Sequence, residues 1–171
     1  MSGELLIGCG QSREKRVSLG NPEWMNLVTL DINPDAKPDI LHDLEVIPYP
    51  LGESFYDEIH AYEVLEHVGR QGDWRFFFKQ FDEFARILKP NGTMFITSPR
   101  AGSNWVWGDP GHTRYMGPQV YCFLDRAEYD TQLGKTAMTD YRRCFTSNWE
   151  RLYIQEQGES IVVVLRNIKA K

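Results

Sequence analysis

Two glycines and two aspartates near the start of the chain have the types and spacing to hold a nucleoside. Leu5-Leu6-Ile7 is an apolar run that ends in Gly8-Cys9-Gly10, where bare backbone can approach a ligand. A second run, Leu27-Val28-Thr29-Leu30, ends at Asp31, 21 residues after Gly10. A carboxylate at that place accepts hydrogen bonds from ribose hydroxyls. Asp43 in "ILHDL" ends a third segment. There it can accept from the exocyclic amine of adenine, with Ile32 and Leu44 walling the ring. The pattern is not a dinucleotide fingerprint, because Arg13 occupies the third glycine position of G-x-G-x-x-G. It is not a phosphate-binding loop either, since no Gly-Lys-Ser/Thr follows Gly8. Further along, Glu66 and His67 in "VLEHV" and His112 in "DPGHTR" are groups that could exchange protons near neutral pH.

These residues need a frame. Leu5–Ile7, Leu27–Leu30, Asp39–Leu41, Glu58–Tyr62 and Thr93–Thr97 read as short buried strands. From Asp73, a suitable N-cap, Trp74, Phe77, Phe78, Phe81, Phe84, Ala85 and Leu88 form one apolar stripe at helical spacing. Pro90 and Asn91-Gly92 stop it. The aromatic stripe is core against a sheet rather than a cofactor site. Alternating strands and connections predict an open parallel α/β sheet. Two strand-like segments, 149–155 and 160–168, joined by a turn at Gln157-Gly158, predict a closing antiparallel hairpin. The expected fold is therefore a Rossmann-like, doubly wound, mainly parallel sheet closed by that hairpin. Only Gln11 to Asn26 connect the first two strands, and Gly20-Asn21-Pro22 interrupts them, so the first helix should be short or absent.

Composition narrows the class. The 171 residues suit a single domain, 1–171, with a substrate-side insertion at about 99–144. The formal charge of -5 counts against a sequence-independent grip on nucleic acid. Arg13, Lys15 and Arg16, and Arg142 with Arg143, read as solvated faces. Three scattered cysteines, with no basic and apolar leader ahead of Leu5, lead us to expect a reduced, cytoplasmic setting without membrane partners. The stretch 98–117 is rich in Gly and Pro yet carries Trp105, Trp107 and Tyr115, as a functional loop does.

With these residues in hand, "LLIGCGQS", "LVTLDIN", "ILHDL", "FYDEIHAYEVLEHV" and "ILKPNGTMFITSP" resemble the successive motifs of class I S-adenosylmethionine-dependent methyltransferases. The likeness is to the small stand-alone domains of bacteria and their phages. It runs from about Glu4 to Pro99, and continues more loosely through "DPGHTRYMGPQVYCFLD". The resemblance implies S-adenosyl-L-methionine as cofactor. Gly8, Cys9 and Gly10 would approach its methionine part, Asp31 the ribose, Ile32 the adenine, and Asp43 with Leu44 the far edge of the ring. Tyr62 and Glu63 would border the methionine end near the sulfonium. The family often has a third glycine where this chain has Ser12. A shortened first helix removes the usual helix N-terminus behind the cofactor carboxylate, a place Arg13 or Lys15 could take.

Methyl transfer is an in-line displacement that owes most of its rate to alignment. An oxygen nucleophile of high pKa also needs a base, and His67 and His112 are the candidates, with Glu66 beside them. Arg100 and Arg114 could receive an anionic acceptor. A metal site of Glu66, His67, Asp109 and His112 is conceivable, but no His pair has the i, i+4 spacing of a helical site, and none is expected. The absence of a D/N/S-P-P-Y tetrad disfavours amine methylation of DNA bases, and the absence of Pro-Cys disfavours cytosine C5 chemistry. With no helices ahead of the first strand to roof the pocket, the acceptor should be part of a larger molecule, or the pocket should be completed by a second subunit as a homodimer. Expected function is thus methyl transfer to an oxygen or nitrogen of an unidentified small or macromolecule-attached acceptor. The alternative is a non-catalytic subunit or regulator that binds S-adenosylmethionine or S-adenosylhomocysteine.

Overall fold

A computed structural model describes residues 3–169. Seven strands form one sheet in the order β3-β2-β1-β4-β5-β7-β6. They are β1 (Glu4–Ile7), β2 (Leu27–Asp31), β3 (Ile40–Leu41), β4 (Tyr56–Tyr62), β5 (Leu88–Pro99), β6 (Trp149–Gln157) and β7 (Ser160–Asn167). The first five are mutually parallel, and β7 runs antiparallel to both β5 and β6. This is the expected sheet with its closing hairpin. Ile7 pairs with Leu30 on one side and Ala61 on the other. Gly8, Asp31 and Tyr62 therefore leave the sheet at one edge, the C-terminal edge where open α/β sheets bind ligands.

Helix α1 (Trp74–Ile87) forms as the stripe demands, with the Asp73 carboxylate accepting from the Phe76 N–H at 3.1 Å. Phe78, Phe81 and Phe84 are fully or almost fully buried. Each contributes roughly 1.5–3 kcal/mol relative to exposure. Phe78 stacks on Phe145 at 4.6 Å, and Phe81 meets the edge of Trp149 at 5.9 Å. Leu88 does not extend the helix as the stripe predicts; it opens β5. The strand passes through the Pro90-Asn91-Gly92 kink, and the register against β4 shifts between Tyr56 and Glu58. A backbone with Asn91 at φ 63° cannot stay helical.

Between β5 and β6 lie two short helices, α2 (Trp105–Gly108) and α3 (Arg126–Gln132), and a 3₁₀ turn at Pro118–Leu124. Tyr121, Leu124 and Tyr129 from this region join the α1 core.

The opposite face has no helix over it between β1 and β2, as the interrupted connection predicts. An irregular strap, 11–26, covers it instead. Val17 and Trp24 pack on a small cluster of Leu6, Cys9, Ala36, Tyr62, Phe95 and Val164. Lys15 is drawn into the sheet face, 3.0 Å from Glu4 and 2.9 Å from Glu58. His60 bridges Glu58 at 3.0 Å and the Tyr62 hydroxyl at 2.6 Å, and that hydroxyl meets the Val17 backbone. Ion pairs and hydrogen bonds thus do the fastening that a helix would do by apolar packing. No helix among the described residues is long and apolar enough to cross a membrane.

Candidate functional site

The C-terminal edge of the sheet opens into a cleft of about 710 Å³. Gly8, Gly10, Asp31, Ile32, Asp43, Leu44 and His67 line it, joined by Asn33, His42, Glu45, Val64 and Val68. Gly8 has φ 59°, and a Cβ there would lie 2.3 Å from Val64 Cγ2. A side chain there would have to displace Val64 and accept a left-handed φ. Its N–H donates to Leu30 O at 2.8 Å, so the loop turns over the end of β2.

Asp31 is the organising group. One carboxylate oxygen accepts from the Gly10 N–H at 2.8 Å, and the other from the Asn33 N–H at 2.8 Å. The carboxylate so held lines the cleft, with the Cys9 thiol also hydrogen-bonded to it. Asp43 accepts from the Glu45 N–H at 2.8 Å through one oxygen. Beside these acids, Leu44 is buried, while Ile32 is 63% exposed at the mouth. An apolar side chain left in water at a cleft mouth suits a flat ring laid against it.

The remaining expected cofactor residues fall elsewhere. Cys9 and Tyr62 line a second, small cavity of about 20 Å³ that shares Gly8 with the cleft and adds Ser12, Glu14 and Arg16. Burial pushes the Cys9 thiol up. The Tyr62 hydroxyl is committed to Val17 and His60, and burial pushes it up to about 12. Glu63 adopts φ 54° at the end of β4 and accepts from Ser160 at 2.8 Å. Two cations offered for the cofactor carboxylate are spent. Lys15 is locked between Glu4 and Glu58, and Arg13 donates to Gly10 O and Ala36 O, each at 2.8 Å. Arg16, read from sequence as a solvated charge, stands over the Tyr62 ring at 5.5 Å and borders the small cavity. Nothing in its sequence neighbours separates it from Arg13.

Next to the cleft, the 98–117 loop is sewn to the Leu65–His67 turn. Thr113 N–H donates to Glu66 O at 2.9 Å, and Arg114 Nε donates to Leu65 O at 2.8 Å. Arg114 also reaches Gln80 Oε1 at 2.6 Å and is buried, which lowers its guanidinium to about 10. These bonds make it a clamp between the 98–117 loop, the Leu65–His67 turn and α1. Arg100 is likewise tied to the hairpin turn, through Gly158 O at 2.8 Å.

The stitching brings the His67 and His112 rings to 4.5 Å, edge to face. His67 Nδ1 meets Gly111 O at 3.1 Å, and His112 Nδ1 meets Val106 O at 3.2 Å. A carbonyl only accepts, so each Nδ1 carries the hydrogen, and in the neutral ring Nε2 keeps the lone pair. Glu66 lies beneath them, 2% exposed. Burial, reinforced by the nearby Glu63 charge, pushes its carboxyl well above the usual carboxylate range. Trp105 and Trp107, on either side in sequence of the Val106 whose carbonyl meets His112, are 63% and 65% exposed.

No protein-family model matches the sequence, and no curated protein matches it. Solved structures do match over nearly the whole chain. A SAM-dependent methyltransferase from Archaeoglobus fulgidus aligns at TM-score 0.58 and 14% identity, covering 96% of this chain and 86% of that one. The N-methyltransferase NodS from Bradyrhizobium japonicum WM9, in complex with S-adenosyl-l-homocysteine, aligns at 0.56 and 20%, covering 98% and 79%. The [4+2]-cyclase SpnF aligns at 0.57 and 12%, covering 99% and 75%. The chain has the class I methyltransferase fold. The third neighbour is named for a different reaction, so function has to be argued from the site.

Proposed function

We propose that this protein is an S-adenosylmethionine-dependent methyltransferase, moving a methyl group to an oxygen or nitrogen of an acceptor held by the 98–117 loop. The observation that carries the reading is Asp31, fixed by the Gly10 and Asn33 N–H groups at the end of β2 and facing the cleft it shares with Asp43 and Leu44. That arrangement suits a ribose with an adenine beside it. The fold's relationship to methyltransferases supports the sulfonium nucleoside over a dinucleotide, as does Arg13 in place of the third glycine. Arg16 is the group we assign to the cofactor carboxylate. His67 on the cleft wall and His112 behind it are the imidazoles assigned to an acceptor proton.

The exposed tryptophans on either side of Val106 in sequence give the acceptor apolar faces to stack on. The alternative, a subunit that binds the nucleoside without turning it over, draws on the missing first helix, which leaves no helix N-terminus behind the glycine loop. Incubation with methyl-labelled cofactor and fractionated host extract separates the two. Label transferred to an acceptor, and lost with Asp31→Ala, is the expected result. Tight nucleoside binding with no acceptor labelled in any fraction favours the regulator.

A further inference from the structure

We propose that Glu66, His67 and His112 form a binding site for one divalent first-row transition-metal ion. One donor atom from each lies within 4.8 Å of the other two. No single helix carries both histidines; the second imidazole arrives from a different segment, across the seam made by Thr113 and Arg114.

Two independent features point to a ligand. Neither carboxylate oxygen of Glu66 has a hydrogen-bond partner, although the side chain is almost wholly buried. A carboxyl group buried in that condition is relieved only by a proton or a cation. His112 does not satisfy it, because its Nε2 stands 4.0 Å from Glu66 Oε1, beyond hydrogen-bonding reach. Finally, both imidazoles have Nδ1 held by a backbone carbonyl, Gly111 O or Val106 O. That is how metal-binding histidines are oriented, with the other nitrogen left to the ion. Asp109 Oδ2, 3.9 Å from His112 Nε2, offers a further oxygen from the rim.

The donor set selects the ion. Two imidazoles and a carboxylate suit Zn²⁺, Co²⁺, Fe²⁺ or Mn²⁺ rather than Mg²⁺ or Ca²⁺, which take oxygen ligands. With bonds of about 2.1 Å, ligands around a tetrahedral ion stand roughly 3.4 Å apart, so the cluster has about an ångström to close. His67 borders the cleft, which places the ion's remaining coordination positions at the cleft wall. The lone pairs that would otherwise take an acceptor proton would then hold the ion, so the two histidine roles are alternatives. The metal site itself does not depend on the methyltransferase reading.

The test uses tag-free, full-length protein stripped with a chelator and titrated with Co²⁺. Calorimetry should give one ion per chain. The visible bands should be those of nitrogen and oxygen ligands, without the thiolate charge transfer that Cys9, Cys122 or Cys144 would produce. Zn²⁺ should displace the Co²⁺, and excess Mg²⁺ should not. His67→Ala, whose ring is exposed, and His112→Ala should each weaken Co²⁺ binding at least tenfold. His42→Ala, elsewhere in the cleft, should leave it unchanged. If His112→Ala lowers the melting temperature, His67→Ala carries the test. No Co²⁺ bound, or equal affinity in wild type and His67→Ala, overturns the site. S-adenosylhomocysteine binding, measured on the stripped protein, reports separately on the methyltransferase reading.

Discussion

The Gly10 N–H donates to the Asp31 carboxylate at 2.8 Å, joining the loop after β1 to the end of β2. One contact thereby shapes the glycine turn and aims the acid into the cleft. Asp31→Ala should weaken S-adenosylhomocysteine binding by about 1–3 kcal/mol, through the lost ribose partner and the unpaired Gly10 and Asn33 donors. Calorimetry checks this, and wild-type affinity in the variant would remove Asp31 from the site.

The two glycines should separate. Gly8→Ala meets both φ 59° and a Cβ only 2.3 Å from Val64, so it should cost about 1–3 kcal/mol in urea denaturation as well as cofactor binding. Gly10→Ala meets only φ 50°, with nothing within 4 Å of its Cβ. It should fold with a penalty of about 1 kcal/mol or less and lose affinity mainly through crowding of the ligand. Equal destabilisation by the two would contradict the geometry.

The strap should make stability sensitive to acid. Burial pushes the His60 imidazole down. Burial alone would raise Glu58, but His60 and Lys15 outweigh it and hold its carboxyl below the usual range. Both groups have folded pKa values below their unfolded ones, so both bind protons more readily when the chain unfolds. Their contribution is whole above the unfolded His value of about 6.5 and is lost as pH falls, first for His60 and then for Glu58 below about 4.5. Denaturation midpoints should fall steadily from pH 7 to 4, and less steeply in His60→Phe, whose ring can keep the stacking on Phe95. An unchanged slope in that variant would assign the acid sensitivity to other groups.

Arg114→Ala should cost about 2–4 kcal/mol by leaving Leu65 O and Gln80 Oε1 buried without their donor. Because Arg114 fastens the 98–117 loop to the Leu65–His67 turn, loss of transfer should accompany a lower denaturation midpoint. Full stability together with lost activity would return Arg114 to the role of substrate contact.

The five parallel strands, the closing hairpin and α1 are legible in the sequence because each rests on local pattern, whereas the order of the strands in the sheet is set by long-range pairing. Leu5–Ile7 and Leu27–Leu30 are continuous apolar runs, and the Asp73 cap with its aromatic stripe admits one reading. Gly8 and Asp31 are legible through their positions at strand ends. What stays hidden depends on partners far along the chain. Lys15 reads as surface charge until Glu4 and Glu58 close around it. Arg114 reads as a substrate arginine until Gln80 and Leu65 bury it. The meeting of His112 with Glu66 and His67 spans more than forty residues and has no periodicity to announce it.

Titration of the purified protein with S-adenosylhomocysteine and, separately, NAD shows which nucleoside the Gly8–Asp31 cleft takes. One S-adenosylhomocysteine site per chain, weakened by Asp31→Ala, and no heat from NAD are the expected results. Folded protein that binds NAD, or that binds neither nucleoside, would contradict the methyltransferase reading.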